Sequence, residues 1–199
     1  MPPHLPITAA NIVRVINASP TRPVQHFAVP YVLKLLEESK EGTRSLAAME
    51  AVSFAGAAVP DDLGTRLVDA GVPLYSQYGT TETGALLTSR RDYATDKAWN
   101  WLRIEGLIKQ YIELVPRGSS GDGSDMVEVV VKDGWPGKVM SNTPDNSYAT
   151  KDLFVVHPEH SNWVKYVGRL DDTLTQTLGE KTNPVPIELA IVSYILSMS

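Results

Sequence analysis

Between residues 1 and 95 the apolar positions switch between helical spacing and short continuous runs. Thr8 is suited to cap a helix reaching Asn17, with Ile12, Val13 and Ile16 on one face. Pro30 suits the first turn of a helix over 31–39, with Val32, Leu35 and Leu36 inward. Residues 51–55 form an apolar run of strand length. Pro60 and Asp61 then open a helix that buries Leu63, Leu67 and Val68 and stops at Gly71. Residues 72–75 read as the next strand. Strand, helix and strand with a crossover of this length predict a parallel pair in an α/β layer.

From 96 to 167 the helical period fades. Residues 126–131, 152–156 and 163–167 are strand-like, and the turn-rich pieces 117–125 and 142–147 separate them. Antiparallel pairing follows, with the 118–125 piece a hairpin loop without chemistry of its own. A turn at 168 starts a further unit. The expected fold is therefore α/β in three parts. A parallel α/β layer (1–95) precedes a small antiparallel, β-barrel-like part (96–167). A short further unit (168–199) follows.

Composition narrows the partners. Of the 199 residues 43% are hydrophobic and 21% charged, values of a globular protein with a real core. A net charge of −5 without a Lys/Arg run argues against nucleic acid and anionic membrane. The absence of cysteine excludes disulfides and thiolate metal sites and fits a reducing compartment. Met1 to Pro6 lacks the basic flank and apolar run of a secretory signal. The apolar stretch 187–198 carries Glu188 and falls short of the roughly 20 residues that span a bilayer. A cytoplasmic chain with no membrane segment is expected.

Three polar segments carry candidate chemistry. In Tyr78-Gly79-Thr80-Thr81-Glu82-Thr83-Gly84, the Tyr78 ring offers a face for stacking and Gly79 lets backbone come close. Thr81 has a hydroxyl for a phosphate oxygen, and Glu82 is a hard oxygen ligand suited to Mg²⁺. In Tyr148-Ala149-Thr150-Lys151-Asp152, the carboxylate of Asp152 can accept two hydrogen bonds from vicinal ribose hydroxyls. In Gly168-Arg169-Leu170-Asp171-Asp172, Arg169 can add a charge-assisted bond to ribose or phosphate. Taken alone, the first two segments read more readily as plain turns, and the third suits a plain turn equally well. Pro158 between His157 and His160 disrupts a helical metal-binding face, and no third ligand is evident. The sequence has neither a nucleophile elbow nor a Gly-x-x-x-x-Gly-Lys phosphate loop.

In this order and spacing the segments resemble the signatures of the adenylate-forming superfamily. More narrowly, the chain resembles the adenylation (AMP-binding) domain of fungal NRPS-like adenylate-forming reductases, relatives of aminoadipate and carboxylic acid reductases. The likeness also covers Val29 to Leu36, Ser53-Phe54-Ala55-Gly56-Ala57-Ala58-Val59-Pro60, Arg90-Arg91-Asp92 and Asp133-Gly134-Trp135-Pro136. The most subgroup-specific stretch is Gly179-Glu180-Lys181-Thr182-Asn183-Pro184-Val185-Pro186-Ile187-Glu188. The resemblance implies ATP/AMP and Mg²⁺ as cofactors and a carboxylic acid as substrate. It implies that Tyr78 and Gly79 meet adenine, Thr81 the phosphate, Glu82 the Mg²⁺, and Asp152 and Arg169 the ribose. Ala55, Gly56 and Ala57 would line the acyl pocket, and Asp171 would be the hinge, with 168–199 the hinge and truncated start of a C-terminal subdomain.

Departures from the pattern are Thr150-Lys151-Asp152 in place of Thr-Gly-Asp, and Ser76 where an amide is common. The family's phosphate-clasping loop would precede residue 1, and its catalytic lysine would follow residue 199. The expectation is thus a nucleotide-binding fragment of an acyl-AMP-forming enzyme of secondary metabolism, truncated at both ends, inactive alone and carrying no catalytic residue. Its intact form would serve a carrier-protein domain. The competing reading is a non-catalytic remnant or an AMP- or partner-binding scaffold.

Overall fold

The computed structural model describes residues 6–21, 23–120, 123–171, 174–175 and 181–182. The chain divides into two compact units, Met1–Tyr78 with Thr88–Asn100, and Gly79–Leu87 with Trp101–Ser199.

The first unit opens with helix α1 (Ala9–Asn17), where the Thr8 hydroxyl accepts the Asn11 amide, as its sequence predicts. Strand β1 (Gln25–Ala28) follows, a short run whose mixed polarity gives no strand pattern. Helix α2 (Pro30–Glu37) ends before the expected residue 39 because Ser39 is used differently. Its backbone is extended and its hydroxyl accepts the Gly42 amide, capping a separate helix α3 (Lys40–Ala47). On α2, Leu33 and Leu36 are fully buried while Val32 and Leu35 are half-buried.

Strand β2 (Ala51–Phe54), helix α4 (Asp61–Asp69) and strand β3 (Leu74–Thr80) complete this unit's parallel arrangement. β2 pairs in parallel with both neighbours, Val52 lying opposite His26 and Leu74. All four β2 residues are buried, as a central parallel strand covered on both faces requires. The core gathers Leu33, Leu36, Leu46, Val52, Leu67 and Leu74, and Phe54 packs on Trp99 with ring centroids 5.8 Å apart. Burial of such a side chain stabilises by about 1.5–3 kcal/mol. β3 runs past the expected residue 75, so Tyr78-Gly79-Thr80 closes a strand and only Thr81 to Thr83 form the turn.

In the second unit, β4 (Gly84–Thr88) and β5 (Leu102–Arg103) precede a 3₁₀ turn (Gly106–Tyr111). Four longer strands follow: β6 (Ile112–Ser119), β7 (Asp125–Val131), β8 (Tyr148–Val156) and β9 (Trp163–Arg169). They form an antiparallel sheet in the order β5-β9-β8-β7-β6, around buried Leu102, Val129, Val131, Phe154 and Val164. A small antiparallel pair, β10 (Leu174–Thr175) with β11 (Lys181–Thr182), lies beyond. The rest of the 179–188 stretch is outside the described residues.

The start of the expected 117–125 loop is strand. Among the described residues β6 pairs only with β7, and its register shifts between Pro116 and Ser119. An edge strand tolerates a proline, which has no amide to donate. Likewise Gly168 and Arg169 end β9 rather than start a turn. No helix among the described residues is long and apolar enough to cross a membrane.

Candidate functional site

The Thr81–Thr83 turn is held at several points. The Thr83 amide bonds the Thr80 carbonyl, and the two threonine hydroxyls meet at 2.9 Å. A Cβ on Gly79 would lie 2.3 Å from the Gly84 carbonyl oxygen, so only glycine permits this close approach. A second segment grips the turn from the side: Trp135 Nε1–H donates to the Thr83 carbonyl at 2.9 Å and the Val139 amide to that of Glu82 at 2.8 Å. A Cβ on Gly137 would fall 2.6 Å from the Thr83 oxygen. The Asp133-Gly134-Trp135-Pro136 motif therefore has a structural task.

Lys138 fixes that segment in turn. Its largely buried ammonium donates to the Asn146 carbonyl (2.6 Å) and the Ser141 hydroxyl (2.8 Å), and reaches Asp133 at 3.3 Å. The Asn142 side chain then pairs with the backbone of Ala149, donating to its carbonyl and accepting its amide. The turn around Glu82 and the start of β8 are thereby tied to one braced loop.

Glu82 is the best-prepared carboxylate of the turn. Its own backbone amide, then the hydroxyls of Thr80 and Tyr148 and the charge of Arg169, hold it below the ordinary glutamate value of 4.5, with desolvation opposing. Tyr148 answers in the other direction. Burial first, then the charge of Glu82 and the bond to it, push its phenol above 10.0. A carboxylate kept ionised and fed by neutral hydroxyls suits a hard divalent cation completed by phosphate oxygens. Thr81 is exposed beside it, its hydroxyl available to an anion.

Asp152 and Arg169 are cross-strand partners on β8 and β9. The guanidinium lies 3.5 Å from the Asp152 carboxylate and 3.6 Å from that of Asp171, and Lys151 Nζ also reaches Asp171 at 3.6 Å. Asp152 has a side chain only 8% exposed, whereas Arg169 is 45% exposed. The acceptor is thus fixed in the sheet, while the cation is half exposed to solvent. Thr81, Glu82, Asp152, Arg169 and Asp171 all belong to the second unit, where Arg169 bears electrostatically on Glu82, Asp152 and Asp171.

Gly79 also belongs to the second unit, whereas Tyr78, Ala55, Gly56 and Ala57 belong to the first. Tyr78 is half-buried on β3. Ala55, Gly56 and Ala57 follow β2, with Ala55 half-buried and the other two exposed. In the Arg90-Arg91-Asp92 motif, the buried Arg91 donates to the carbonyls of Leu74 (2.6 Å) and Asp96 (2.8 Å), anchoring β3.

Over 196 aligned residues the chain is 32% identical to adenylate-forming reductase Nps10 of Heterobasidion annosum, a match covering 94% of this chain and 17% of that protein. The chain is homologous to a segment of the fungal adenylate-forming reductases. A carboxylic acid reductase of Neurospora crassa is 31% identical over 163 residues, covering 80% of this chain and 15% of the relative. The chain thus spans about a sixth of the length of these curated relatives. No family model matches it. Among solved structures, an anthranilate CoA ligase in complex with anthranoyl-AMP superposes with a TM-score of 0.67 at 18% identity, over 94% of this chain and 37% of the ligase. An o-succinylbenzoate CoA synthetase of Bacillus subtilis in complex with AMP gives 0.65 at 19%, over 94% and 39%. These likenesses show that the fold is a portion of the adenylate-forming fold.

Sequence reasoning passed over the roles of several residues around Glu82 and the loop that grips its turn. Tyr148 and Thr80 stand inside quoted motifs, yet nothing in their spacing announces that both hydroxyls turn to Glu82. Trp135, Gly137 and Lys138 act through backbone contacts that only the folded loop displays. The His157 and His160 rings lie 4.8 Å apart among Trp101 and Trp163, an aromatic cluster.

Proposed function

We propose that this chain is the nucleotide-binding part of an NRPS-like enzyme that activates a carboxylic acid, forming acyl-AMP and pyrophosphate from the acid and ATP. The observation that carries the reading is the fixed Asp152 carboxylate paired with the half-exposed Arg169 guanidinium, in the unit that also holds Glu82 with its lowered pKa. The homologous reductases support it. In the reaction a substrate carboxylate oxygen attacks the α-phosphorus, the bond to the β-phosphate oxygen breaks, and pyrophosphate leaves.

This chain's residues have binding and orienting roles in that step. Asp152 accepts the ribose hydroxyls, and Arg169 adds a charge-assisted donor to ribose or phosphate. Tyr78, beside Gly79, stacks on adenine, and the Thr81 hydroxyl donates to a phosphate oxygen. Glu82 fits Mg²⁺, which when bound would neutralise phosphate charge during the displacement. Ala55, Gly56 and Ala57 line the acyl pocket, and Asp171 serves as hinge. A carrier-protein domain is the proposed recipient of the acyl group in the intact enzyme. A cysteine-free sequence without a membrane-crossing helix among the described residues supports a cytoplasmic setting.

Calorimetric titration with AMP, GMP and adenosine tests the reading. AMP binding that exceeds both others is expected, since base, ribose and phosphate each have a named partner. Equal binding of AMP and GMP would remove the adenine assignment, and no binding of AMP would remove the nucleotide site.

A further inference from the structure

Glu128 is a carboxylate in the middle of β7 whose side chain is only 2% exposed, in a place where a charge is costly unless paired. Both of its oxygens are occupied. Arg117, from edge strand β6, donates through Nε at 2.8 Å and through Nη2 to Oε2. The backbone amide of Lys151 donates to Oε1 at 2.8 Å.

That amide belongs to a bulge. Glu128 lies opposite Leu153 and Val130 opposite Ala149, so Val129 alone faces the three residues Thr150, Lys151 and Asp152. Lys151 has φ 59°, left-handed backbone that a lysine rarely adopts. Its carbonyl accepts the Leu170 amide at 2.6 Å, so the bulge is clamped from β7 on one side and from the end of β9 on the other. The Thr150 hydroxyl donates to the Val129 carbonyl (2.8 Å) and accepts the Asp152 amide (3.2 Å), closing the turn. A bulge re-aims the side chain that follows it, and successive strand side chains point to opposite faces. Where Asp152 points therefore depends on what keeps Lys151 in its strained conformation.

We propose that Glu128, braced by Arg117, is the positioning residue that aims Asp152 at the ribose. The inference rests on the ribose assignment of Asp152 made above. Without the Glu128 carboxylate, the Lys151 amide loses its acceptor, and the bulge relaxes toward extended backbone. Asp152 then turns from its station opposite Arg169. Glu128 and Arg117 act through the Lys151 amide.

The test compares AMP with 2′,3′-dideoxy-AMP by calorimetry on the full chain, as wild type, Glu128→Ala, Glu128→Gln and Arg117→Met. Wild type is expected to prefer AMP by roughly tenfold or more, the scale of a hydrogen bond to a charged group. Glu128→Ala should bring that preference below about twofold while leaving dideoxy-AMP affinity within about twofold of wild type. Glu128→Gln keeps an oxygen for the Lys151 amide and should restore part of the preference, with Arg117→Met intermediate. A merely structural loss would lower both affinities alike, and that result overturns the proposal, as does a wild-type preference in Glu128→Ala. If Glu128→Ala shows no cooperative unfolding, Glu128→Gln and Arg117→Met decide, and wild-type preference in both overturns it. A wild type that binds the two nucleotides equally overturns the ribose assignment itself and the proposal with it. A discriminating wild type paired with a discriminating Glu128→Ala overturns only the role of Glu128.

Discussion

Replacing Asp152 with alanine separates a binding role from a structural one, because the two losses differ in size. The carboxylate sits 3.5 Å from a guanidinium that is itself 45% exposed and keeps Asp171 at 3.6 Å. A pair with one partner so open to water contributes about 0–1 kcal/mol to folding, after screening. The Asp152 amide still has the Thr150 hydroxyl, and β8 keeps its ladder, so unfolding free energy should fall by no more than about 1 kcal/mol. Ribose binding asks more of the same group. Hydrogen bonds to a charged acceptor are worth about 1.5–3 kcal/mol, which corresponds to roughly 10–150-fold in AMP affinity. Release of Arg169 toward the phosphate opposes part of that loss, which favours the lower half of the range. Asp152→Asn retains an acceptor without the charge and should fall between. Titration calorimetry gives the affinities and urea unfolding the stabilities. AMP affinity within about twofold of wild type, with stability lowered by more than about 1 kcal/mol, would refute the reasoning and make Asp152 a strand residue only.

Carboxyl NMR should find Glu82 titrating below 4.5, with Thr80→Ala and Tyr148→Phe each raising its midpoint; an unshifted midpoint in both variants would remove the hydroxyls as the cause. Because the folded value is lowered, the stability Glu82 adds is present above 4.5 and is lost as the pH falls through the folded midpoint. Trp135→Phe drops the bond to the Thr83 carbonyl while keeping an aromatic ring near Tyr111, and should cost about 0.5–1.5 kcal/mol in urea unfolding. The same variant should weaken Mg²⁺-dependent ATP binding, and full retention of that binding would show that the loop grips a turn without ligand duties. In the first unit, Leu33→Ala should cost about 2–5 kcal/mol and exceed Leu35→Ala, since Leu33 is fully buried and Leu35 half-buried. The reverse order in denaturant melts would contradict the packing of α2.

The parallel layer was legible because α1, α4 and β2 follow strong local rules. A threonine cap, a proline start and uninterrupted apolar runs need no tertiary help to be read. What stayed hidden depends on neighbours. Ser39 looks like the tail of α2 until its hydroxyl is seen to cap α3. Arg117 and Gly118 look like loop residues until β6 proves to be an edge strand, where the missing amide of its Pro116 costs little. The candidate site divides in the same way. Asp152 and Arg169 could be named from residue type together with the resemblance of their motifs, yet their mutual register is a property of two strands and a bulge.

That bulge explains why motif reading finds the chemistry and misses its support. In the resembled Thr-Gly-Asp pattern a glycine would occupy the place of Lys151, and glycine adopts positive φ at no steric cost. This chain has a lysine there at φ 59°, so the conformation must be held by surrounding bonds. Two of them come from groups far away in sequence: the Glu128 carboxylate on the Lys151 amide and the Leu170 amide on the Lys151 carbonyl. A departure from the pattern at one residue thus shifts the demand onto Glu128 and, through it, onto Arg117 in a segment that reads as loop. Lys151→Gly gives this argument its own check, since it should lessen the damage that Glu128→Ala does to AMP discrimination. An equal loss in both backgrounds would mean that the strained lysine is not what Glu128 restrains.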